Sequence, residues 1–180
     1  MSINELVREA TLKVIATEGV KSVTIRRIAQ ELGRSTTVVT HYFADRDELL
    51  RTSVEAILDE RRVNAEQVIA ESEDALWGFL EWSIQADHSG VWPAIVASSI
   101  AGLEPKIAKL AEEFGVWWSE TLLKLLENRC SGTLNVQQTS DAIGIVIEGL
   151  ILASERDIYG GLSKLELMRV IVQPLIAPKR

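Results

Sequence analysis

Four polar side chains, spaced for one face of a short helix, are the residues of this chain best suited to bind a ligand directly. They are Thr36, Thr37, Thr40 and His41, and they remain once Val39, Tyr42 and Phe43 are assigned to a buried face. Hydroxyl and imidazole groups form hydrogen bonds with base edges and phosphate oxygens. The surrounding segment, TIRRIAQELGRSTTVVTHYFADR from Thr24 to Arg46, predicts two short helices joined by a tight turn. This is the sequence form of a helix-turn-helix reader of duplex DNA.

The same segment also has a purely structural interpretation. Thr24 and Ser35 each precede a helical stretch, where a hydroxyl cap contributes about 1 kcal/mol with no DNA involved. Arg26 and Arg27 could form a solvated helix face, and Tyr42 taken singly is more often core than contact. Capping does not, however, require a row of polar side chains on one outer surface. The complete set therefore favours DNA binding.

These side chains must be positioned by helices, because helical periodicity runs along the chain and strand patterns are nearly absent. The predicted fold is all-α, with an N-terminal three-helix helix-turn-helix domain followed by a C-terminal helical bundle. The first helix is expected from about Ile3 to Thr17. Thr24 caps the second, and Gly33 ends it because glycine adopts the left-handed turn conformation at little cost. The third helix follows Ser35.

Asp45, with Glu48 three residues later, forms an acidic variant of the capping box and begins a long fourth helix that extends to about Ala70. We place the domain boundary near Arg46. Residues 1–46 then form the DNA-binding domain, and residues 47–180 form a helical ligand-binding and dimerisation domain. Further helices are expected at 74–87, 92–102, 104–129, 136–156 and 163–176.

The charge of the chain is unevenly distributed. The 180 residues carry a net charge of -7, yet residues 1–50 contain seven Lys/Arg and seven Asp/Glu, so the excess acid lies in the remainder. The segment from Lys21 to Arg46 contains five basic residues and only two acidic ones, Glu31 and Asp45. A locally basic segment on an acidic body permits phosphate binding at one end and discourages non-specific adhesion elsewhere.

Several protein classes are disfavoured by the sequence. Cys130 is the single cysteine, so no intramolecular disulfide can form, and His41, His88 and Cys130 lack metal-ligand spacing. There is no nucleophile–base pair and no glycine-rich phosphate loop, so we expect neither an enzyme nor a cofactor. The N-terminus lacks the apolar core of a signal peptide, and the longest apolar run, 142–153, is too short to span a bilayer. We expect a cytoplasmic protein without membrane association.

The first 50 residues resemble the TetR-type one-component transcriptional regulators. The shared positions combine helix lengths, the turn glycine, the caps and a closing aromatic residue: Thr24, Ile28, Ala29, Gly33, Ser35, Val39, Phe43, Asp47 and Leu49. The string THYFADRDELL, with a tryptophan-bearing C-terminal part, is similar to the branch that includes the choline-sensing betaine-pathway repressors. The resemblance implies a homodimeric repressor that a small-molecule effector releases from a palindromic operator in double-stranded DNA.

The resemblance also implies roles for individual residues. The recognition helix of this family enters the major groove, which makes Thr36, Thr37 and His41 the expected base readers, with Ser35 at the start of the helix. Backbone phosphates are expected to be bound by Thr24, Arg34, Tyr42 and Arg46. Thr40 stands where the family most often has tyrosine and is too short to make the same contact. Tyr42 replaces a common histidine, and Arg46 replaces a lysine.

All five tryptophans lie between Trp77 and Trp118, within the predicted larger domain. Trp118 lies on the buried stripe of its helix, so we assign it to the core. A mostly apolar cavity with a few polar contacts would suit a small molecule, and an aromatic cage beside a carboxylate would suit a quaternary ammonium ligand. The predicted lining is Trp77, Glu81, Trp82, Gln85, His88, Trp92 and Trp117. The alternative is that these aromatic residues simply fill a helical core.

The last two predicted helices are apolar enough to form a dimer contact. The segment AIGIVIEGLILA is apolar nearly all round and must be covered on most sides. With the following helix it could pair with its copy as a four-helix contact, from about Asp141–Arg156 and Ser163–Ile176. Alternatively both helices fill the core of the larger domain. A carrier or adaptor dimer without sequence-specific DNA binding remains the second hypothesis for function.

Overall fold

A computed structural model describes residues 2–85, 90–127, 129, 134–153 and 161–176. Within these residues the chain is helical and contains no strand, which confirms the predicted all-α fold. The helices are α1 Ile3–Glu18, α2 Ile25–Glu31, α3 Thr36–Thr40, α4 Arg46–Glu71, α5 Ala75–Gln85, α6 Val91–Ile100, α7 Pro105–Leu126, α8 Val136–Leu152 and α9 Lys164–Ile176. In the described part of the chain, no helix is both long and apolar enough to cross a membrane.

The chain forms two compact units. The first comprises Met1–Arg62 and Asp87–Phe114, and the second comprises Val63–Ala86 and Gly115–Arg180. Two long helices, α4 and α7, each contribute residues to both units. The domain boundary predicted near Arg46, where the fourth helix was expected to connect the N-terminal unit to the remainder, stays a prediction.

The first unit is built around the apolar face of α1, which packs against α2 and α6. Val7, Val14 and Ile15 are completely buried on this face, and Ile28 of α2 is buried with them. The cap predicted at the start of α2 is present, since the Arg27 amide donates a hydrogen bond to Thr24 Oγ1 at 3.0 Å. Helix α3 packs on α2, so the short helix is held by a buried apolar layer.

The second unit has Phe79 of α5 at its centre. This ring is fully buried and stacks on Trp82 at 5.6 Å and on Trp118 at 5.5 Å between ring centres. Helices α8 and α9 pack on each other and on α5, with Ile143 and Val172 completely buried. Trp118, assigned to the core from the sequence, is half-buried, and its indole Nε1 donates to Ser83 Oγ at 2.9 Å.

One local prediction is wrong, and one local element was not predicted. Tyr42 was expected to face the first two helices, but its side chain is 42% exposed. Because α3 ends at Thr40, helical spacing no longer governs residue 42, and Phe43 is the aromatic residue that enters the core. A 3₁₀ turn at Val20–Ser22, which the sequence pattern did not predict, connects α1 to the segment before α2. The end predicted for the eighth helix at Arg156 lies outside the described residues.

Candidate functional site

The turn between α2 and α3 has the backbone geometry that orients a recognition helix. Gly33 has φ +62°, and its amide donates to the Gln30 carbonyl at 3.1 Å, while the Arg34 amide donates to the Ala29 carbonyl at 2.9 Å. This pair of bonds is a Schellman motif, which satisfies helix-end carbonyls and requires a left-handed residue at the glycine position. A Cβ at Gly33 would meet no atom within 4 Å, so the glycine is required by its backbone angle and not by lack of space.

The residues on and beside α3 are either buried or exposed to different degrees. Val39 is fully buried and Phe43 is 5% exposed, so these two side chains anchor the helix to the unit. Six polar residues on or beside α3 are exposed, and their side chains are called here the outer face: Ser35, Thr36, Thr37, Thr40, His41 and Tyr42. Six of the nine residues that were predicted to contact DNA are therefore exposed on or beside this short helix.

The side chains of the outer face differ in how far they are already engaged. Ser35 occupies the N-cap position of α3, but its hydroxyl oxygen accepts no capping hydrogen bond from a backbone amide. The Thr40 hydroxyl faces the carbonyls of Thr36 at 3.3 Å and Thr37 at 3.4 Å on its own helix. The rings of His41 and Tyr42 meet edge to face at 4.8 Å, forming a small aromatic pair at the end of the helix. A threonine bound to its own helix has no donor left for a base, although its oxygen can still accept a bond.

Basic residues around the outer face fall into two groups. Arg34, in the turn, and Arg26, on α2, are exposed. Arg27 is instead bound to Glu18 at 2.6 Å and to Glu31 at 2.8 Å, and these two carboxylates raise its pKa. The pKa of Glu31 is lowered, chiefly by a hydrogen bond from Lys13 and then by the one from Arg27. Arg27 therefore connects α1 to α2 rather than facing solvent, and only Arg26 fits the predicted solvated helix face.

The guanidinium group of Arg46, which was predicted to bind a phosphate, already has several partners within the protein. Its Nε donates to the Val23 carbonyl at 2.7 Å, and its Nη2 donates to the Val20 carbonyl at 3.3 Å. The same guanidinium group is paired with both carboxylate oxygens of Glu104, at 2.7 and 3.4 Å. A phosphate would have to compete with Glu104 for Arg46. The role of Arg46 at a phosphate stays a prediction, now with a defined competitor.

Glu104 and Lys106, at the start of α7, were not identified from the sequence as residues near the DNA-binding segment. Lys106 Nζ lies 2.7 Å from Asp47 Oδ2, which lowers the pKa of Asp47 and raises that of Lys106. Together with the Arg46–Glu104 pair, this contact connects the first turn of α4 to the first turn of α7. The partners are nearly sixty residues apart, and no local pattern in the sequence could have revealed them.

The residues predicted for a small-molecule site are divided among several environments. In the second unit, Trp82 is 6% exposed and its indole donates to Asn64 Oδ1 at 2.6 Å, while Trp117 meets the edge of Phe79 at 6.3 Å. These contacts favour the core alternative for Trp82. Gln85 is exposed. Trp77 and Glu81 lie one helical turn apart on α5, and both contact Arg169 of α9.

The other two predicted ligand-binding residues, Trp92 and His88, are not among the described residues of the second unit. Trp92 belongs to the first unit, where its ring lies 4.9 Å from that of Phe114 and 5.6 Å from the guanidinium carbon of Arg61. His88 lies outside the described residues. Which of the seven residues contact an effector therefore stays a prediction.

Comparison with known proteins agrees with the geometry of the N-terminal segment. Residues 7–52 match the family model described as bacterial regulatory proteins, tetR family. No curated protein sequence matches the chain significantly.

Similar solved structures extend over nearly the whole chain. A TetR-family transcriptional regulator from Agrobacterium tumefaciens superposes with a TM-score of 0.80 at 16% identity, covering 97% of this chain and 98% of that one. A transcriptional regulator from Rhodococcus sp. Rha1 gives 0.74 at 18% identity, with 97% and 98% covered. A third, from Saccharomonospora viridis in complex with choline, gives 0.77 at 19% identity, with 95% and 93% covered. At these identities the likeness shows a shared fold.

Proposed function

We propose that this chain, which has a TetR-type N-terminal domain and the fold of TetR-family regulators, is a homodimeric repressor that a small-molecule effector releases from a palindromic operator. One observation carries the DNA-binding part of the proposal. A five-residue helix, held by Val39 and Phe43 and oriented by the turn at Gly33, carries exposed hydroxyl groups and is followed by an exposed imidazole and an exposed phenol. A carrier or adaptor has no need for such a surface.

The outer face suggests a division of labour in DNA binding. Thr36, Thr37 and His41 are exposed on or just after α3 and are assigned to base edges, since hydroxyls and imidazole can donate or accept in the major groove. Arg34 and Tyr42 flank them and are assigned to phosphates, which fix the register of the protein on the duplex. Ser35 and the amide-rich start of α2 at Thr24 provide further phosphate contacts. Arg46 can bind a phosphate only when its ion pair with Glu104 is broken.

The dimer is assigned to α8 and α9. Although Ile143, Ile147 and Leu150 of α8 are buried in the second unit, Ile145 on the opposite side of the helix is 72% exposed. On α9, Val170 is 61% exposed beside Ile171 at 40%. Both helices thus have an apolar surface left over after the core is filled, which supports pairing with a second copy. A dimer places two outer faces at half-sites roughly 34 Å apart, or a multiple of this distance.

The effector is assigned to the second unit. Its aromatic residues and its few polar side chains near Trp77, Glu81 and Gln85 have the composition of a small-molecule site. The regulator from Saccharomonospora viridis that shares this fold was solved with choline, which gives a precedent for a small organic ligand in this architecture. Binding of the effector is expected to change the spacing of the two outer faces by a few ångströms, so that both half-sites can no longer be bound together.

Selection of bound duplexes from a random pool tests the proposal as a whole. A homodimeric reader returns a palindrome, and its affinity for that palindrome falls steeply with salt because phosphate contacts release counterions. A chain without DNA-binding function returns no enriched sequence at low salt, and that outcome would overturn the proposal in favour of a carrier or adaptor.

A matched pair of variants tests the outer face itself. Thr37→Ala removes an exposed hydroxyl from the outer face. It is expected to weaken binding to the selected duplex by about five-fold or more, since a hydrogen bond contributes about 0.5–1.5 kcal/mol and a dimer would lose two. Thr17→Ala removes an exposed hydroxyl at the end of α1, where it bonds to the Lys13 carbonyl at 2.9 Å, and serves as the control. Equal affinities of the two variants would exclude a base contact by Thr37.

A further inference from the structure

The two residues of α5 that best suit a cationic ligand already hold a cation of the chain itself. Arg169 of α9 places its guanidinium carbon 5.6 Å from the centre of the Trp77 ring, and its Nη2 donates a hydrogen bond to Glu81 Oε1. Trp77 and Glu81 are both half-buried and separated by one helical turn, so they face the same side of α5. An aromatic face and a carboxylate around one positive group are the elements of a cation-binding site.

Arg169 is held only weakly. Its side chain is 60% exposed, and that of Glu81 is 29% exposed. Ion pairs with this much solvent access contribute little to stability, because water screens the charges and two long side chains lose freedom. A cation–π contact at an exposed site adds a similarly small amount. The guanidinium group can therefore leave this position without unfolding the helices that carry it.

We propose that Trp77 and Glu81 form a cation-binding position that Arg169 occupies as an internal ligand, so that a free quaternary ammonium or guanidinium compound binds there only by displacing Arg169. The inference deepens the proposed effector site but does not depend on DNA binding. It also changes the prediction made from the sequence. An aromatic cage at Trp77 and Glu81 is not open to choline-like ligands until α9 releases its arginine.

Arg169 competes with a free cation at a strength that is set by the effective concentration of its guanidinium group. A side chain on a neighbouring helix acts as a ligand at an effective concentration in roughly the millimolar range or above. An external cation with weak intrinsic affinity is therefore largely excluded while Arg169 is in place. A cation that does bind changes the surroundings of α9, one of the two helices assigned to the dimer. The position thus connects the chemical class of an effector to the part of the chain proposed to hold the two subunits together.

Titration of the full chain with tetramethylammonium chloride, followed by tryptophan fluorescence, tests the proposal. Sodium chloride at the same concentrations corrects for ionic strength. The Arg169→Gln variant is expected to bind tetramethylammonium about ten-fold more tightly than the unmodified chain, because the competing guanidinium group is gone. Arg169→Lys, which keeps a cation on α9, is expected to bind as weakly as the unmodified chain.

Two further variants establish where the probe binds. In the Arg169→Gln background, Glu81→Gln and Trp77→Leu are each expected to remove the gain, since each deletes one half of the proposed position. Calorimetric titration measures affinity in the Trp77→Leu variant, because that variant lacks the reporter ring. Arg129→Gln is the matched control, because it breaks another exposed arginine–carboxylate pair of the same unit, between Arg129 and Asp74 at 2.8 Å. It is expected to leave tetramethylammonium affinity unchanged.

The outcomes separate cleanly. Equal affinity of the unmodified chain and Arg169→Gln would overturn the proposal, as would a gain that survives Glu81→Gln and Trp77→Leu. Circular dichroism shows whether Arg169→Gln is folded. If it folds poorly, Arg169→Met, which retains the aliphatic stem, is expected to show the same gain in affinity. The titration contains no DNA, so a negative result here leaves the proposed repressor function standing, and a failed operator selection leaves this proposal standing.

Discussion

Replacing Glu104 with glutamine is expected to tighten binding to the selected operator. In the structure, both oxygens of Glu104 are bound to the Arg46 guanidinium group at 2.7 and 3.4 Å, and the two side chains are only 20% and 28% exposed. A phosphate that uses Arg46 must displace this carboxylate. In Glu104→Gln the closer of the two carboxylates is absent, leaving Asp47 Oδ1 at 3.7 Å, while the Val20 and Val23 carbonyls still position the guanidinium group.

The magnitude follows from the partial burial of the pair. Two unit charges about 4 Å apart near a protein surface attract each other by about 4 kcal/mol, but desolvation and side-chain entropy reduce the net value to about 1 kcal/mol. A dimer has two such pairs, so binding is expected to strengthen by about 2 kcal/mol, which is an increase in affinity of about 30-fold. Fluorescence anisotropy of a labelled duplex at fixed salt measures this change directly.

Two controls show whether the effect passes through Arg46. Glu112→Gln makes the same change of charge at an exposed position of α7, and it reports the general effect of removing one negative charge. Arg46→Ala combined with Glu104→Gln removes the group that is to be released. A gain that equals that of Glu112→Gln, or one that persists in the double variant, would refute the reasoning.

Three further predictions concern stability and assembly. Gly78→Ala is expected to destabilise the chain by about 1–3 kcal/mol in urea unfolding, because an added Cβ would lie 2.1 Å from Ser72 Oγ and 2.7 Å from Ser72 Cβ; Gly115→Ala, whose Cβ meets open space, should show no loss. Glu31 has a pKa lowered by Lys13 and then Arg27, so it stabilises the fold above the ordinary glutamate pKa of about 4.3, and this contribution disappears as the pH falls through the lower folded value. Acid titrations of thermal stability should therefore be shallower in Glu31→Gln, and an unchanged pH profile would contradict the assignment. Ile145→Glu, at a position 72% exposed on α8, is expected to give a monomer in sedimentation at concentrations where the unmodified chain is a dimer, whereas Gln137→Glu on the same helix should not; two identical masses would remove α8 from the interface.

Much of the DNA-binding segment follows from local sequence because local chemistry determines it. A threonine before a helix caps it, and the turn after α2 needs the left-handed conformation that glycine adopts easily, so Thr24 and Gly33 were placed correctly. Val39 and Phe43 were likewise expected to be buried, and they are. Tyr42 was wrongly expected to be buried, because the periodicity argument was carried past the end of a helix that has only five residues.

The contacts that constrain the site could not be predicted in the same way. Arg46 was assigned to a phosphate because the family resemblance places a basic residue there, and Trp77 and Glu81 were assigned to a ligand from their residue types. Glu104 lies 58 residues after Arg46, and Arg169, which contacts both Trp77 and Glu81, lies 88 residues after Glu81. A solvated arginine and a paired one are identical in sequence. Only the packing of distant helices decides which charges are free to meet a ligand.

The engagement of Arg27 by Glu18 and Glu31 bears on how quickly the protein finds its target. Each cation that is free to meet a phosphate strengthens attachment to arbitrary DNA as much as to the operator, and a genome offers millions of arbitrary sites. Arg27 is neutralised on its own surface, and neutral hydroxyls make up most of the outer face. Hydroxyls lose little by leaving a mismatched site, since water replaces their partners. For the proposed function, the arrangement therefore favours short residence on unrelated sequences and leaves more of the protein available to search for an operator.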